Sequence, residues 1–367
     1  MDITLSEDQV MIAETANRFA MATAKASPAS DGFDPAIWRQ MVELGFAGIC
    51  VPEEFGGANL GLFELALVAE ALGRSAAASP FFSTVVEAGF LLRDAGSRAQ
   101  RDHWLPRIAD GRAILTVALH DADGARTSLT PTTGGFLLHG TKILVRDAGA
   151  AAAIICAADN TLVLLPAASL QRRRLAAAGD EALWEVTFEN CLLSADAIIG
   201  KAGGAAADIA RLQRRGAALK AAELVGIGQA ALDLTLEYAK TRVQFGKPIG
   251  SFQAVQHHCV DMYRDLQVCR LLAWQAAASD AGAREVAMAK AKASEAIPAL
   301  TRIAHQIHGA IAYYCDYPLE LFYHRAIAAA SAYGNAAQHR RVLGDLLAAD
   351  MTSFRGANRS DLPVHYL

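Results

Sequence analysis

Hydrophobic and polar positions alternate with three different rhythms along this chain. Up to about residue 110 the rhythm is helical. Ser6 and Gln9 make a capping box ahead of Val10, Ile12 and Ala13. Trp38, Met41, Val42 and Leu44 predict a second helix that stops at Gly45. Residues 51–61, VPEEFGGANLG, read as a loop, and 63–72 resume helical spacing up to Gly73. From about Ile114 the period shortens. Segments 114–120, 135–139, 152–158 and 161–165 are short and β-compatible, with Gly, Asp and Pro between them. Trp184, Val186 and Phe188 alternate with Glu185, Thr187 and Glu189, the pattern of a half-buried strand. After Gly203 the rhythm is helical again, and segments 205–240, 251–278, 283–310 and 318–348 have the lengths of a four-helix bundle. The expected fold is α+β, mainly α. It comprises an N-terminal helical domain (1–110), a small middle β-domain (111–202) and a C-terminal four-helix bundle (203–367).

Composition narrows the class. A chain of 367 residues that is 53% hydrophobic and 20% charged buries a large core and is not disordered. Its net charge of -4 gives no overall basic field for nucleic acid or anionic membrane. The longest apolar run, 148–158, is far short of the ~20 residues that span a bilayer, and the acidic start MDITLSEDQ has no signal-peptide core. Cys50, Cys156, Cys191, Cys259, Cys269 and Cys315 are scattered and read as reduced thiols in a cytosolic protein, with no metal expected. Arg172–Arg174 and Arg211–Arg215 read as solvated basic faces.

The most informative stretch is 238–262, YAKTRVQFGKPIGSFQAVQHHCVDM. It reads as a helix ending in a turn built on Gly246, Pro248 and Gly250, then a restart at Ser251. An arginine (Arg242) beside exposed backbone amides can grip a pyrophosphate, and Phe245 can lie against a base or ribose. This block resembles the signature of the acyl-CoA dehydrogenase family, whose members bind FAD and desaturate acyl-CoA thioesters. The 51–61 loop before a helix resembles that family's N-terminal Pro-x-x-x-Gly-Gly loop. Residues 306–326, QIHGAIAYYCDYPLELFYHRA, resemble its Gln-x-x-Gly-Gly-x-Gly-Tyr segment. The resemblance implies that Arg242, Phe245, Gly246, Gln253, Gln306 and Gly309 contact the ADP half of a FAD seated in a neighbouring subunit. Ala310 and Ala312 replace glycines of the pattern, each adding a methyl where backbone would approach closely.

Other parts of the pattern are lost. The family's reaction takes an α-proton from the thioester while the flavin takes a β-hydride. A desolvated carboxylate suits the first task. Counting forward from Gln306, the family's Tyr-Glu-Gly-Thr run falls on Ala332, Tyr333, Gly334 and Asn335, so Tyr333 holds the base position. A phenol of pKa near ~10 is about three units too weakly ionised at neutral pH, roughly 4 kcal/mol. The alternative base position on the earlier helix falls on Gly216, and Glu223 lies two turns away, about 10 Å along the axis. In the β-domain, residues 115–127 lack the family's Gly-Ser-Asp loop and place His120 there. Residues 140–147 keep Gly140 and Lys142, but Leu144 replaces a flavin-stacking Trp, Arg146 a hydroxyl residue and Asp147 an Asn.

Groups that would serve the chain's own flavin are missing, while groups that reach a neighbour's FAD persist. The pattern predicts a non-catalytic subunit of a heteromeric acyl-CoA dehydrogenase, with an acyl-CoA substrate and a partner subunit carrying the catalytic Glu. Some relatives that degrade steroid side chains are built this way, and an electron-transfer flavoprotein is the family's usual acceptor. A homo-oligomeric dehydrogenase with a displaced base (Glu223 or a β-domain Asp), a flavin-dependent oxygenase and a flavin-free structural protein remain open at this point.

Overall fold

The computed structural model describes residues 4–23, 33–124, 126–314 and 316–360, so Cys315 lies outside the described residues. Five helices open the chain: α1 (Glu7–Thr23), α2 (Pro35–Glu43), α3 (Leu62–Ser75), α4 (Phe90–Ala95) and α5 (Arg98–Ala109). The Ser6–Gln9 capping box forms in both directions, at 3.1 and 3.2 Å. Gly45, with φ +80°, follows α2 as expected. α3 runs through Gly73 and ends at Ser75, with Ala76 in the left-handed region, two residues beyond the expected stop. A nine-residue π-helical stretch, Phe81–Gly89, leads into α4.

Two sheets follow. The first has the order β1 (Leu115–Ala118), β5 (Ala153–Ala158), β6 (Thr161–Pro166), β9 (Ile198–Ile199), with β1 and β5 parallel. In the second, β2 (His120–Asp121), β4 (Gly135–Arg146), β8 (Leu183–Leu193) and β7 (Gln171–Arg174) are neighbours in that order, and β3 (Ser128–Thr132) also pairs with β4. Ile154, Cys156 and Val163 of the first sheet meet Leu138, Val145, Val186 and Phe188 of the second in one apolar layer. β4 carries two register shifts against β8, the second between Lys142 and Val145, where Leu144 has φ +57°. A bulge of this kind re-aims the side chains that follow it. Lys142 and Val145 point into the core, whereas Leu144 and Arg146 face a cavity.

The C-terminal helices are α6 (Ala206–Thr241), α7 (Gln253–Ala278), α8 (Ala283–His308), α9 (Pro318–Ser331) and α10 (Ala336–Ser360). The sequence pattern merges the last two into one helix over 318–348. The structure breaks them apart at Tyr333 (φ +54°) and Gly334 (φ +95°). The ammonium of Lys290, itself fully buried on α8, holds that break. It donates to the carbonyls of Ala329, Ala330 and Gly334 at 2.9–3.1 Å and to Ser294 Oγ at 2.8 Å. These carbonyls are the orphan acceptors of a helix C-terminus, where a cation is favoured. Asn335 and Gln338 then cap α10 reciprocally.

α6 crosses α3 at backbone contact: a Cβ on Gly226 would stand 1.8 Å from Glu70 O, and one on Gly73 2.1 Å from Glu223 O. Arg215, expected on a solvated face, is buried instead. It pairs with Asp94 at 2.5 Å and lies over the Phe90 ring, because α4 packs on that side of α6. No helix among the described residues is long and apolar enough to cross a membrane. Gly226→Ala is expected to cost roughly 3 kcal/mol in urea unfolding, because the two helix axes must separate. Gly344→Ala on α10, where a Cβ meets nothing within 4 Å, should cost nothing and gain up to about 1 kcal/mol.

Candidate functional site

The helix of the 238–262 motif releases the chain at Arg242 into a two-stranded hairpin, β10 (Val243–Gln244) and β11 (Lys247–Pro248). Phe245 (φ +52°) and Gly246 (φ +77°) form its tip, which is the two-residue turn that favours Gly at its second position. Phe245 is 92% exposed, an unusual position for an aromatic, and its ring meets Phe252 edge-on with centroids 6.1 Å apart. The Arg242 and Gln253 side chains are also exposed, and among the described residues neither has a hydrogen-bond partner. Gln306 and Gly309 lie at the far end of α8, also exposed. Tyr238 stacks on His308 with ring centroids 4.4 Å apart, which brings the ends of α6 and α8 together. All six motif residues therefore share one end of the bundle. A free guanidinium, two amides and an exposed ring are a donor set that fits a diphosphate with a planar base. Ala310 is exposed, but Ala312 is fully buried in the helical core, so its methyl points away from that surface.

Inside, a cavity of about 730 Å³ lies between bulged β4, the π-helical stretch, α6 and the α9–α10 break. Its polar lining includes Glu87, Arg146, Glu181, Tyr333, Gln338 and His339, and Val117, Leu119, Leu144, Leu183, Ile327 and Val342 supply apolar walls. His120 stands on the same lining. The two positions that the resemblance assigns to the base meet here. A Cβ on Gly216 would fall 2.3–2.6 Å from three carbons of the Tyr333 ring, so the ring occupies the space a side chain at 216 would need. Tyr333 Oη donates to Glu87 Oε1 at 2.5 Å, and His339 Nε2 is 2.9 Å from the Tyr333 carbonyl. Burial, together with the charge of Glu87, raises the Tyr333 phenol well above its ordinary pKa. It is no base at neutral pH.

Glu87 escaped the sequence reading. Its signal was a single acid inside the apolar run 80–92, PFFSTVVEAGFLL. Burial raises its carboxyl, and Arg146, 3.6 Å away, opposes that rise. Glu223 is neither at the surface nor at the large cavity: it is buried, with Lys220 Nζ 2.6 Å from its carboxylate. Lys220 also reaches Glu181 at 3.5 Å and lies over the Phe82 ring. Asp147 turns away from the cavity, accepts from Ser83 Oγ at 2.6 Å, and is raised by burial to about 7. Lys142 pairs with Asp121 at 2.7 Å and donates to Leu119 O, a folding role. Gly140 keeps backbone distance, since a Cβ there would lie 2.6 Å from Thr127 Cα. Among the described residues no cluster of three His, Cys, Asp or Glu side chains could hold a metal ion.

Comparison with known proteins agrees with this architecture. The family model for the acyl-CoA dehydrogenase N-terminal domain matches residues 6–112, and that for the C-terminal domain matches 203–347. The chain belongs to the acyl-CoA dehydrogenase family and has its fold, mainly helical with a small β region. Members of that family are FAD-dependent oxidoreductases. Acryloyl-CoA reductase (NADH) of Anaerotignum propionicum is 30% identical over 361 residues, covering 89% of this chain and 91% of that protein. The ChsE4–ChsE5 complex from Mycobacterium tuberculosis matches with a TM-score of 0.86 and 28% identity, over 95% of this chain and 99% of that one. A Tcur3481–Tcur3483 steroid ACAD variant matches with a TM-score of 0.84 and 29% identity, over 95% and 100%.

Two outcomes follow from the inner geometry. Gly216→Ala should cost roughly 2–3 kcal/mol by expelling the Tyr333 ring, and nearly nothing in a Tyr333→Ala background. A double-mutant cycle without coupling would contradict the ring's placement. Asp147, neutral in the folded chain up to about 7 but ionised above about 4 when unfolded, lowers stability as pH rises through that window. The stability advantage of wild type over Asp147→Asn should therefore shrink between pH 4 and 7, by about 1.4 kcal/mol per unit, in denaturant titrations.

Proposed function

We propose that this chain is the non-catalytic subunit of a heteromeric acyl-CoA dehydrogenase. It serves FAD-linked α,β-desaturation of an acyl-CoA thioester by completing the FAD site of a partner subunit that carries the catalytic Glu. The observation that carries this reading is the Tyr333 ring packed onto Gly216: both base positions lack a carboxylate, and one residue fills the space of the other. On the outside, Arg242, Phe245, Gly246, Gln253, Gln306 and Gly309 are exposed at one end of the bundle, ready to clasp the ADP half of a cofactor seated next door. When bound, FAD would supply the hydride acceptor; Arg242 would hold its diphosphate and Phe245 cover its base. The likeness to the ChsE4–ChsE5 complex and to a steroid ACAD supports a two-subunit assembly acting on a bulky acyl group. An electron-transfer flavoprotein would take the electrons, and the complex would work in the cytoplasm.

Glu87 favours a second reading, a homo-oligomeric dehydrogenase with a displaced base, since it lines the cavity and burial raises its carboxyl. Tyr333 Oη already holds one of its oxygens. One purification separates the two. The chain expressed alone should be colourless. Co-expressed with its catalytic partner it should give half a flavin per subunit, with Arg242→Ala weakening flavin retention. A full flavin complement in the chain alone would establish the second reading instead.

A further inference from the structure

We propose that the inner cavity is a binding site for an apolar molecule bearing one carboxylate, anchored by Arg146. This rests on the reading that the cavity does not itself run the dehydrogenation. A guanidinium has five N–H donors in a rigid fork. Among the described residues, none of those of Arg146 has a hydrogen-bond acceptor. The nearest carboxylates, Glu87 and Glu181, stand 3.6 and 3.9 Å away, outside hydrogen-bond range, and Nε is fully buried without a partner. The side chain is only 19% exposed, and that opening is onto the cavity.

Four other buried cations are handled differently. Lys142, Lys220 and Arg215 each have a carboxylate oxygen within 2.7 Å, and Lys290 donates to four oxygens. A purely structural arginine would be bonded in the same way, because an unpaired buried donor costs about 1–3 kcal/mol, and more when charged. Arg146 is instead a donor fork held in place by two carboxylates and a ring, with its N–H groups left over. Its guanidinium lies 5.2 Å from the centre of the Tyr333 ring.

Charge points to an anion. Arg325, buried and also unpartnered at Nε, lines a small pocket behind the cavity together with Arg146, Glu181, Lys220, Glu223 and Asp147. Lys220 and Glu223 cancel each other. Glu181 is held ionised by Lys220, Arg146 and Arg325 in spite of its burial, while burial pushes Glu87 and Asp147 toward their neutral forms. Two guanidinium groups thus share this pocket with Glu181, whose carboxylate also serves Lys220. A ligand carboxylate would meet the unbonded donors of the Arg146 fork bidentately. Six aliphatic side chains and about 730 Å³ accommodate the rest of a molecule of ordinary ligand size.

The test uses the full-length chain and sodium octanoate, with octan-1-ol as the uncharged probe of equal length, in calorimetric titrations. Octanoate is expected to bind saturably and at least roughly tenfold more tightly than the alcohol. Arg146→Gln should abolish that preference, and Arg98→Gln on the exposed face of α5 should leave it unchanged. Should Arg146→Gln fail to fold, Leu144→Trp, which fills the cavity, must weaken octanoate. Equal affinity for acid and alcohol, no saturable octanoate binding, or binding indifferent to both cavity variants would overturn the proposal. Flavin content per subunit is measured separately, so loss of this site and loss of the non-catalytic reading give different results.

Discussion

Everything at the inner site descends from one buried ammonium. Lys290 gathers the last carbonyls of α9 and that of Gly334, so the chain must turn left-handed at Tyr333 before α10 begins. Burial, aided by the charge of Lys220, lowers the Lys290 ammonium to about 7. Without that clamp, four carbonyl and hydroxyl acceptors would be stranded in the core. With it in place, the Tyr333 side chain points into the cavity and onto Gly216 of α6.

Glycine answers from the other side. α6 comes close enough to its neighbours to touch backbone at Gly226, and at Gly216 it leaves a gap that an aromatic ring fills. The ring brings a hydroxyl to Glu87, and Glu87 in turn faces Arg146 on the bulge of β4. The inner site therefore holds a packed phenol–carboxylate pair beside an arginine whose Nε has no partner. The outer surface is separate from it, on the helix ends and the hairpin, farther along the same helix.

Much of this was legible early. Helical and strand periods predict a mainly helical fold with a small β region, and the matched spacing of Arg242, Phe245 and Gln253 points to the family, which the family models bear out. Misreadings have specific causes. The pattern over 318–348 has no proline or long polar gap at 332–335, so periodicity alone joined two helices that a tertiary cation separates. Arg215 looked solvated because its neighbours in sequence are arginines, whereas its neighbours in space are Asp94 and Phe90. Glu87 has no signature in the sequence, because a lone acid in an apolar run carries no motif.

The chain by itself determined the class of fold, the order of its helical and β regions, and the family that its motif spacing resembles. These depend on side-chain period and on residue type at fixed spacing, both one-dimensional properties. Only the tertiary structure decided that positions 216 and 333 compete for one volume, that Glu87 and Arg146 meet beneath them, and that Glu223 is buried where α6 crosses α3. Those facts are distances between segments tens to hundreds of residues apart, set by how closely α6 packs and where β4 bulges, and no local pattern encodes them.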